Sequence, residues 1–230
     1  MSLENPQSSV VLVSGGLDSS VLLAKLVADH RRVLALGIDY GQRHRREIDS
    51  ARAVCAHYNV EYRLADLRKI TEFFGKNSLT DSAVPVYEGA YNEAGMKTTV
   101  VPARNLIFIS VATAWAISEK CDTVAYAAHG GDHAIYPDCR EEFAEKLDAV
   151  VRLADWHSVR LERPFVAMTK AEIVALGAKL NVPFQLTWSC YNGGKKHCGK
   201  CSTCIERAAA FREAGVPDPT IYAPAENANE

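Results

Sequence analysis

A doubly wound parallel α/β sheet, followed by a small helical metal-binding region, is the fold class the sequence predicts. Three observations carry it. Short aliphatic runs alternate with longer segments of helical period, the first run enters its helix through a Gly-Gly turn, and four cysteines cluster late in the chain. Strands alternating with helices argue for a parallel sheet covered on both faces, Rossmann-like in form. With 230 residues, 48% of them hydrophobic, the chain can bury one ordinary core and a small appendage. The reading divides it into 1–184 for the α/β domain, 185–217 for the cysteine-bearing region and 218–230 for a tail.

Val10-Val11-Leu12-Val13 is a β-branched and aliphatic run that reads as a buried strand. Ser14-Gly15-Gly16-Leu17-Asp18-Ser19-Ser20 follows, and Val21, Leu22, Leu23, Leu26 and Val27 then recur at helical spacing to about His30. Gly15 and Gly16 can take backbone angles closed to other residues and let a ligand approach the main chain. The amides at the helix start favour an anion there, and Ser14, Ser19 and Ser20 add hydroxyls. Asp18 is a carboxylate beside that anion site and calls for a counter-cation, most simply Mg2+. Gly-Gly alone would serve equally as a tight turn with a Ser or Asp cap. The whole stretch, set between a buried strand and an apolar helix, favours the anion site. No Gly-Lys-Ser/Thr follows, so the loop is not a Walker A loop.

Val33 to Ile38 reads as the second strand. Arg43, His44, Arg45 and Arg46 then open a helix whose inner face carries Ile48, Ala51, Val54, Cys55 and Tyr58. Each base alone reads as solvated, but four at a helix N-terminus oppose the dipole and point to an anionic partner. A third strand spans Tyr62 to Ala65. Residues 67–99 are rich in Gly, Asn, Ser, Thr and Tyr and read as an insertion or a substrate-covering flap; Phe73, Phe74, Tyr87 and Tyr91 predict partial order over the site. Val100-Val101-Pro102-Ala103-Arg104-Asn105-Leu106 opens an apolar helix through Ile117, placing Arg104 and Asn105 at a ligand-facing end. Asp122 to Ala128 is the fourth strand.

The loop after that strand is chemically dense. His129, Asp132 and His133 either hold a metal or hydrogen-bond a planar substrate, with Tyr136, Asp138 and Arg140 close by in sequence. Cys139 is either a nucleophile or a structural thiol. Phe143 to Leu153 forms a helix and Val159 to Phe165 a short strand. Thr169 and Glu172 then match a capping box, and Lys170 beside them reaches phosphate or solvent.

Cys190, Cys198, Cys201 and Cys204 have spacings that let four thiolates close on one Zn2+, with Lys195, Lys196, His197 and Lys200 offsetting the charge. An iron–sulfur cluster is the rival, although no Cys-Pro ends the run. Seven cysteines used this way suit a reducing cytoplasm rather than a disulfide framework. The formal charge of -2 gives no reason to expect stable nucleic-acid binding, and no apolar run approaches a membrane span. The polar start, Met1 to Gln7, does not suggest a signal peptide.

Ser14-Gly-Gly-Leu-Asp-Ser19 resembles the pyrophosphate loop of the N-type ATP pyrophosphatases, which implies an adenine nucleotide alpha hydrolase-like fold and cleavage of ATP between its α- and β-phosphates. With Asp39 to Arg45, Val101 to Asn105, Tyr136 to Arg140, Thr169 to Glu172 and Thr187 through Cys204, the chain resembles the QueC family of the queuosine pathway over nearly its whole length. That resemblance implies conversion of 7-carboxy-7-deazaguanine and ammonia to the nitrile through adenylated acid and amide, in a homodimer. It assigns Val13 to Leu23, that is Val13, Ser14, Gly15, Gly16, Leu17, Asp18, Ser19, Ser20, Val21, Leu22 and Leu23, with Arg43, His44 and Lys170, to ATP and Mg2+. Asp18, Arg104, Asp132, Asp138 and Arg140 take the catalytic roles, and Arg104, Asn105, Asp132, Tyr136, Asp138 and Arg140 the substrate. Many family members carry Ser-Gly where this chain has Ala134-Ile135. The departure bears on the substrate and leaves two alternatives: a paralogue that couples a deazaguanine to a protein or nucleic-acid partner, or a tRNA-thiolating relative.

Overall fold

The computed structural model describes residues 8–29, 31–90, 95, 97–130 and 136–224. Its centre is a five-stranded parallel sheet in the order β3-β2-β1-β4-β5. The strands are β1 (Ser8–Leu12), β2 (Arg32–Asp39), β3 (Glu61–Asp66), β4 (Thr123–Ala125) and β5 (Arg160–Glu162). Helices α1 (Leu17–Ala28), α2 (Arg46–His57), α3 (Arg104–Ser118), α4 (Glu141–Arg152), α5 (Lys170–Lys179) and α6 (Ser202–Ala214) pack around it. The predicted doubly wound fold is therefore the one observed.

Strand alternation explains the two layers. Val10 faces a core with Ile109, Ala112 and Ala116 of α3 and Ala144, Leu147 and Val151 of α4. Its neighbour Val11 faces the opposite core, with Leu22 and Leu26 of α1, Ala51 and Val54 of α2, Ile173 of α5 and Phe211 of α6. Both valines are fully buried, and each such burial contributes about 1.5–3 kcal/mol. Polar pairs fix the register of β1 against β4: Ser9 Oγ lies 2.5 Å from Thr123 Oγ1, and Ser8 donates to Asp122 Oδ2. The strand order reverses between β1 and β4, and ligands of open α/β sheets bind at the carboxyl ends beside such a reversal. The loop after β1 opens there.

Several sequence expectations are corrected. The fourth strand ends at Ala125, not Ala128, because its neighbour β5 pairs over only three residues, Arg160–Glu162. The third apolar helix begins at Arg104 rather than Val100: Pro102 precedes, and Ala103 takes a left-handed φ of 52°. Within the insertion, Phe74 and Leu79 join the core while Phe73 is 80% exposed, so Phe73 contributes nothing to ordering it. The stretch read as a tail after 217 is tied down through residue 223. Asp218 lies 3.7 Å from the buried Arg207, and Ala223 N–H donates to the His197 carbonyl at 2.7 Å. Thr169 and Glu172 form the expected capping box on α5.

Candidate active site

The Ser14–Ser20 loop folds into a tight cradle for local reasons. Gly15 has φ +87°, and a Cβ there would lie 2.1 Å from the Glu47 carbonyl oxygen and 2.5 Å from the Ala51 nitrogen, so only glycine lets the loop press on α2. Gly16 N–H donates to Ser14 Oγ, while the Ser19 and Ser20 hydroxyls donate to the Gly16 carbonyl. Val21, Leu22 and Leu23 are fully buried, anchor α1 and do not line the cavity described below.

A cavity of about 270 Å³ opens on this loop, lined at one end by Ser14, Gly16, Asp18, Ser19 and Lys170. Lys170 Nζ sits 3.3 Å from Asp18 Oδ2 and pairs with Glu206, and His129 Nε2 approaches the same oxygen at 3.8 Å. Asp18 Oδ1 is buried without a hydrogen-bond partner. An orphaned carboxylate oxygen beside helix-start amides suits a hard divalent cation with phosphate, so the residues fit Mg2+.

The far end is assembled from distant segments. Arg104 hydrogen-bonds the Tyr40 hydroxyl and lies near Tyr191, Tyr136 and Cys139. Burial pulls its guanidinium down, but those phenols and the thiol outweigh it and hold Arg104 above its ordinary value. Burial in turn pushes Tyr40 up to about 12 against the lowering effect of Arg104. Asn105 N–H donates to Asp138 Oδ2 at 3.0 Å, and its side chain reaches the Asp138 carbonyl and Cys139 Sγ. Asp138 thus caps α3. Tyr136 hydroxyl meets Thr99 Oγ1 at 2.6 Å.

The expected residues are placed unevenly. Val13, Ser14, Gly16, Leu17, Asp18, Ser19, Lys170, His44, Arg104, Asn105 and Tyr136 border the cavity. Arg43 is turned away: it donates to the carbonyls of Ser78 and Val84 and holds the 67–99 segment. Its partners are main-chain oxygens, which compete for the guanidinium that the sequence reading gave to phosphate. Arg140 is exposed at the start of α4. Asp132 and His133 lie outside the described residues, as does Tyr91. Sequence reasoning missed Glu47, Gln42, Tyr191, Ser189 and Glu206, all on the cavity wall. Only Glu47 carried a signal, three residues after His44.

The cysteine region reaches this cavity. Cys190, Cys198, Cys201 and Cys204 place their sulfurs within 4.8 Å of one another, three of the four residues buried. Backbone N–H groups of Cys198 and Cys201 point at the Cys190 and Cys198 sulfurs, as they do toward thiolates. The donor set fits a closed structural Zn2+ site. From this knot, Trp188 N–H donates to the Gly15 carbonyl at 2.9 Å, stitching the region to the anion loop. Arg207, buried beside it, donates to Thr187, Ser189 and the Phe184 carbonyl. Burial, with Arg207 close by, lowers His197 to about 4, so its neutral ring accepts the Ser189 N–H. No described helix is long and apolar enough to cross a membrane.

A solved structure of NMN synthetase from Francisella tularensis shares the fold, with a TM-score of 0.55 and 15% identity over 92% of this chain and 79% of that one. The chain is 49% identical over 215 residues to the 7-cyano-7-deazaguanine synthase of Marinobacter nauticus, covering 94% of this chain and 97% of the relative. It is 44% identical over 217 residues to that of Hahella chejuensis, covering 94% of each. The family model described as queuosine biosynthesis protein QueC matches residues 8–215, and the chain belongs to the QueC family.

Proposed function

We propose that this chain is an ATP-dependent ligase that converts 7-carboxy-7-deazaguanine and ammonia to 7-cyano-7-deazaguanine. The observation that carries the reading is one cavity with a cradle for phosphate at one end and a half-buried cation, Arg104, among phenols at the other. Relatives that share nearly half their residues bear the name of that activity.

In this reading Ser14, Gly15, Gly16, Ser19 and Ser20 receive the β- and γ-phosphates, and Lys170 and Asp18 hold charge balance there. Mg2+ bound at Asp18 would neutralise the phosphates and assist departure of pyrophosphate. The substrate carboxylate attacks the α-phosphorus, and pyrophosphate leaves. Ammonia displaces AMP from the acyl adenylate to give the amide. A second ATP adenylates the amide oxygen, and loss of AMP leaves the nitrile. Both nucleophiles belong to the substrates, so the chain's work is alignment, charge neutralisation and exclusion of water. Arg104, Asn105, Tyr136, Asp138, Arg140 and Asp132 are assigned to the acceptor. Asn105 and Asp138 act through α3, whose start they hold. Zn2+ on the four cysteines is structural. We further propose a homodimer working on small molecules in the cytoplasm, on a two-domain plan divided near residue 184.

Mass spectrometry after incubation with ATP, Mg2+, the acid and ammonium tests the reading. Nitrile with AMP and pyrophosphate is expected. Adenylate without nitrile, even at high ammonium, would instead favour a macromolecular amine as acceptor, which the Ala134-Ile135 departure makes worth testing.

A further inference from the structure

We infer that His44, oriented by Glu47, is the base that takes protons from nitrogen as the carboxylate carbon becomes a nitrile; this rests on the function proposed above. His44 lines the cavity and is 3% exposed. Its Nε2 lies 3.1 Å from Glu47 Oε2, so the carboxylate holds the proton on that nitrogen and leaves the lone pair on Nδ1. Nδ1 is buried and has no hydrogen-bond partner. Glu47 is itself fixed: its other oxygen accepts from Gln42 Nε2 at 2.9 Å, and Gln42 Oε1 accepts the Tyr40 N–H at 2.9 Å. A base on the cavity wall, oriented by a third group and with its other nitrogen left without a hydrogen-bond partner, is the arrangement nitrogen chemistry requires.

The dyad stands at the acceptor end, so His44 is assigned there and not to the ATP that the resemblance gave it. Tyr191 packs on the His44 ring at 5.3 Å between centroids and also lies near Arg104. Tyr40 is hydrogen-bonded by Arg104 and feels the Glu47 charge. Two tyrosines therefore join the cation to the dyad. The 67–99 segment reaches it through Arg43, and the cysteine region through Gly193, where a Cβ would lie 3.1 Å from the His44 Cα.

The proton balance explains why a base is needed there and not at the phosphate end. A carboxylate attacks the α-phosphorus already ionised and releases no proton. Ammonia attack on the acyl adenylate forms the C–N bond, expels AMP and must lose one N–H proton. Conversion of the amide forms an O–P bond to the α-phosphorus of a second ATP as pyrophosphate leaves, then breaks the C–O bond with loss of AMP, and gives up the two remaining N–H protons. Three protons leave the nitrogen in all, and His44 passes each on to solvent.

The test separates the oxygen and nitrogen steps with His44→Gln. Hydroxylamine, neutral at pH 7 and strongly nucleophilic, traps the acyl adenylate without help from a base. Hydroxamate formation is expected within about threefold of the unaltered chain, whereas amide formation from ammonium, and nitrile formation from the supplied amide, should each fall roughly 100-fold. Glu47→Gln should show the same split, more weakly. Zinc content and hydroxamate yield report folding in the same samples. An equal fall in hydroxamate, amide and nitrile would mean that His44 only holds the turn, and would overturn the inference. So would an unchanged rate of amide formation. If the unaltered chain makes neither hydroxamate nor nitrile from the acid, the function proposed above fails first.

Discussion

The two ends of the cavity are built in opposite ways. The phosphate end is nearly contiguous: Ser14 to Ser20 supply the amides and hydroxyls, and one turn of backbone geometry arranges them. The acceptor end draws on Tyr40, His44, Arg104, Tyr136 and Tyr191, from four separated stretches. A local cradle needs only its own sequence and a neighbour to press on. An assembled pocket depends on the sheet, the 67–99 segment and the cysteine region all being in place. The first is therefore expected to lose chemistry without losing fold, and the second to respond to distant changes as well as near ones.

Removing the metal should break both ends at once. Cys201→Ser, or chelation of the unaltered chain, frees residues 187–191, which hold Gly15 through Trp188 and bring Tyr191 to the cavity. Structural zinc contributes folding free energy outright. Loss of zinc by elemental analysis should accompany a lowered melting temperature and loss of all turnover; full activity without metal would show the site to be dispensable.

Asp18→Asn separates the ends. Pyrophosphate release should fall about 1,000-fold, because the cation and Lys170 lose their carboxylate, while zinc content stays unchanged. Retained turnover would remove Asp18 from the phosphate end. The complementary change, Arg104→Gln, should raise KM for the acid about 10- to 100-fold, in line with about 1.5–3 kcal/mol for a charged hydrogen bond, and leave ATP binding intact. Steady-state kinetics against each substrate in turn distinguishes the two. The smallest effect belongs to a residue serving neither end directly. Thr169→Ala deletes the capping box that starts α5 beside Lys170, and thermal or urea unfolding should register a loss of about 1 kcal/mol.

The same contrast explains what could be read from the sequence. The Ser14–Ser20 loop and the four cysteines were legible because their chemistry is concentrated at short spacings. The doubly wound parallel sheet was legible as a class, through alternating apolar runs, while its strand order was not. Tyr191 was not, and Glu47 carried only its spacing from His44, since a glutamate in a first helical turn and a tyrosine beside a cysteine look ordinary until folding brings them to His44. Arg43 shows the reverse case: a basic cluster suggested phosphate, and the carbonyls of Ser78 and Val84 accept from that guanidinium. The residues after 217 looked like a tail because their partners, Arg207 and His197, lie in another segment.

In the proposed reaction one cavity spends ATP at its local end to remake a carboxylate held at its assembled end. The most direct test is the stoichiometry of products when the chain is given the acid, ATP, Mg2+ and excess ammonium. Two AMP and two pyrophosphate are expected for each nitrile, with amide appearing and then disappearing. Formation of ADP and inorganic phosphate instead, or nitrile with no transient amide, would contradict it.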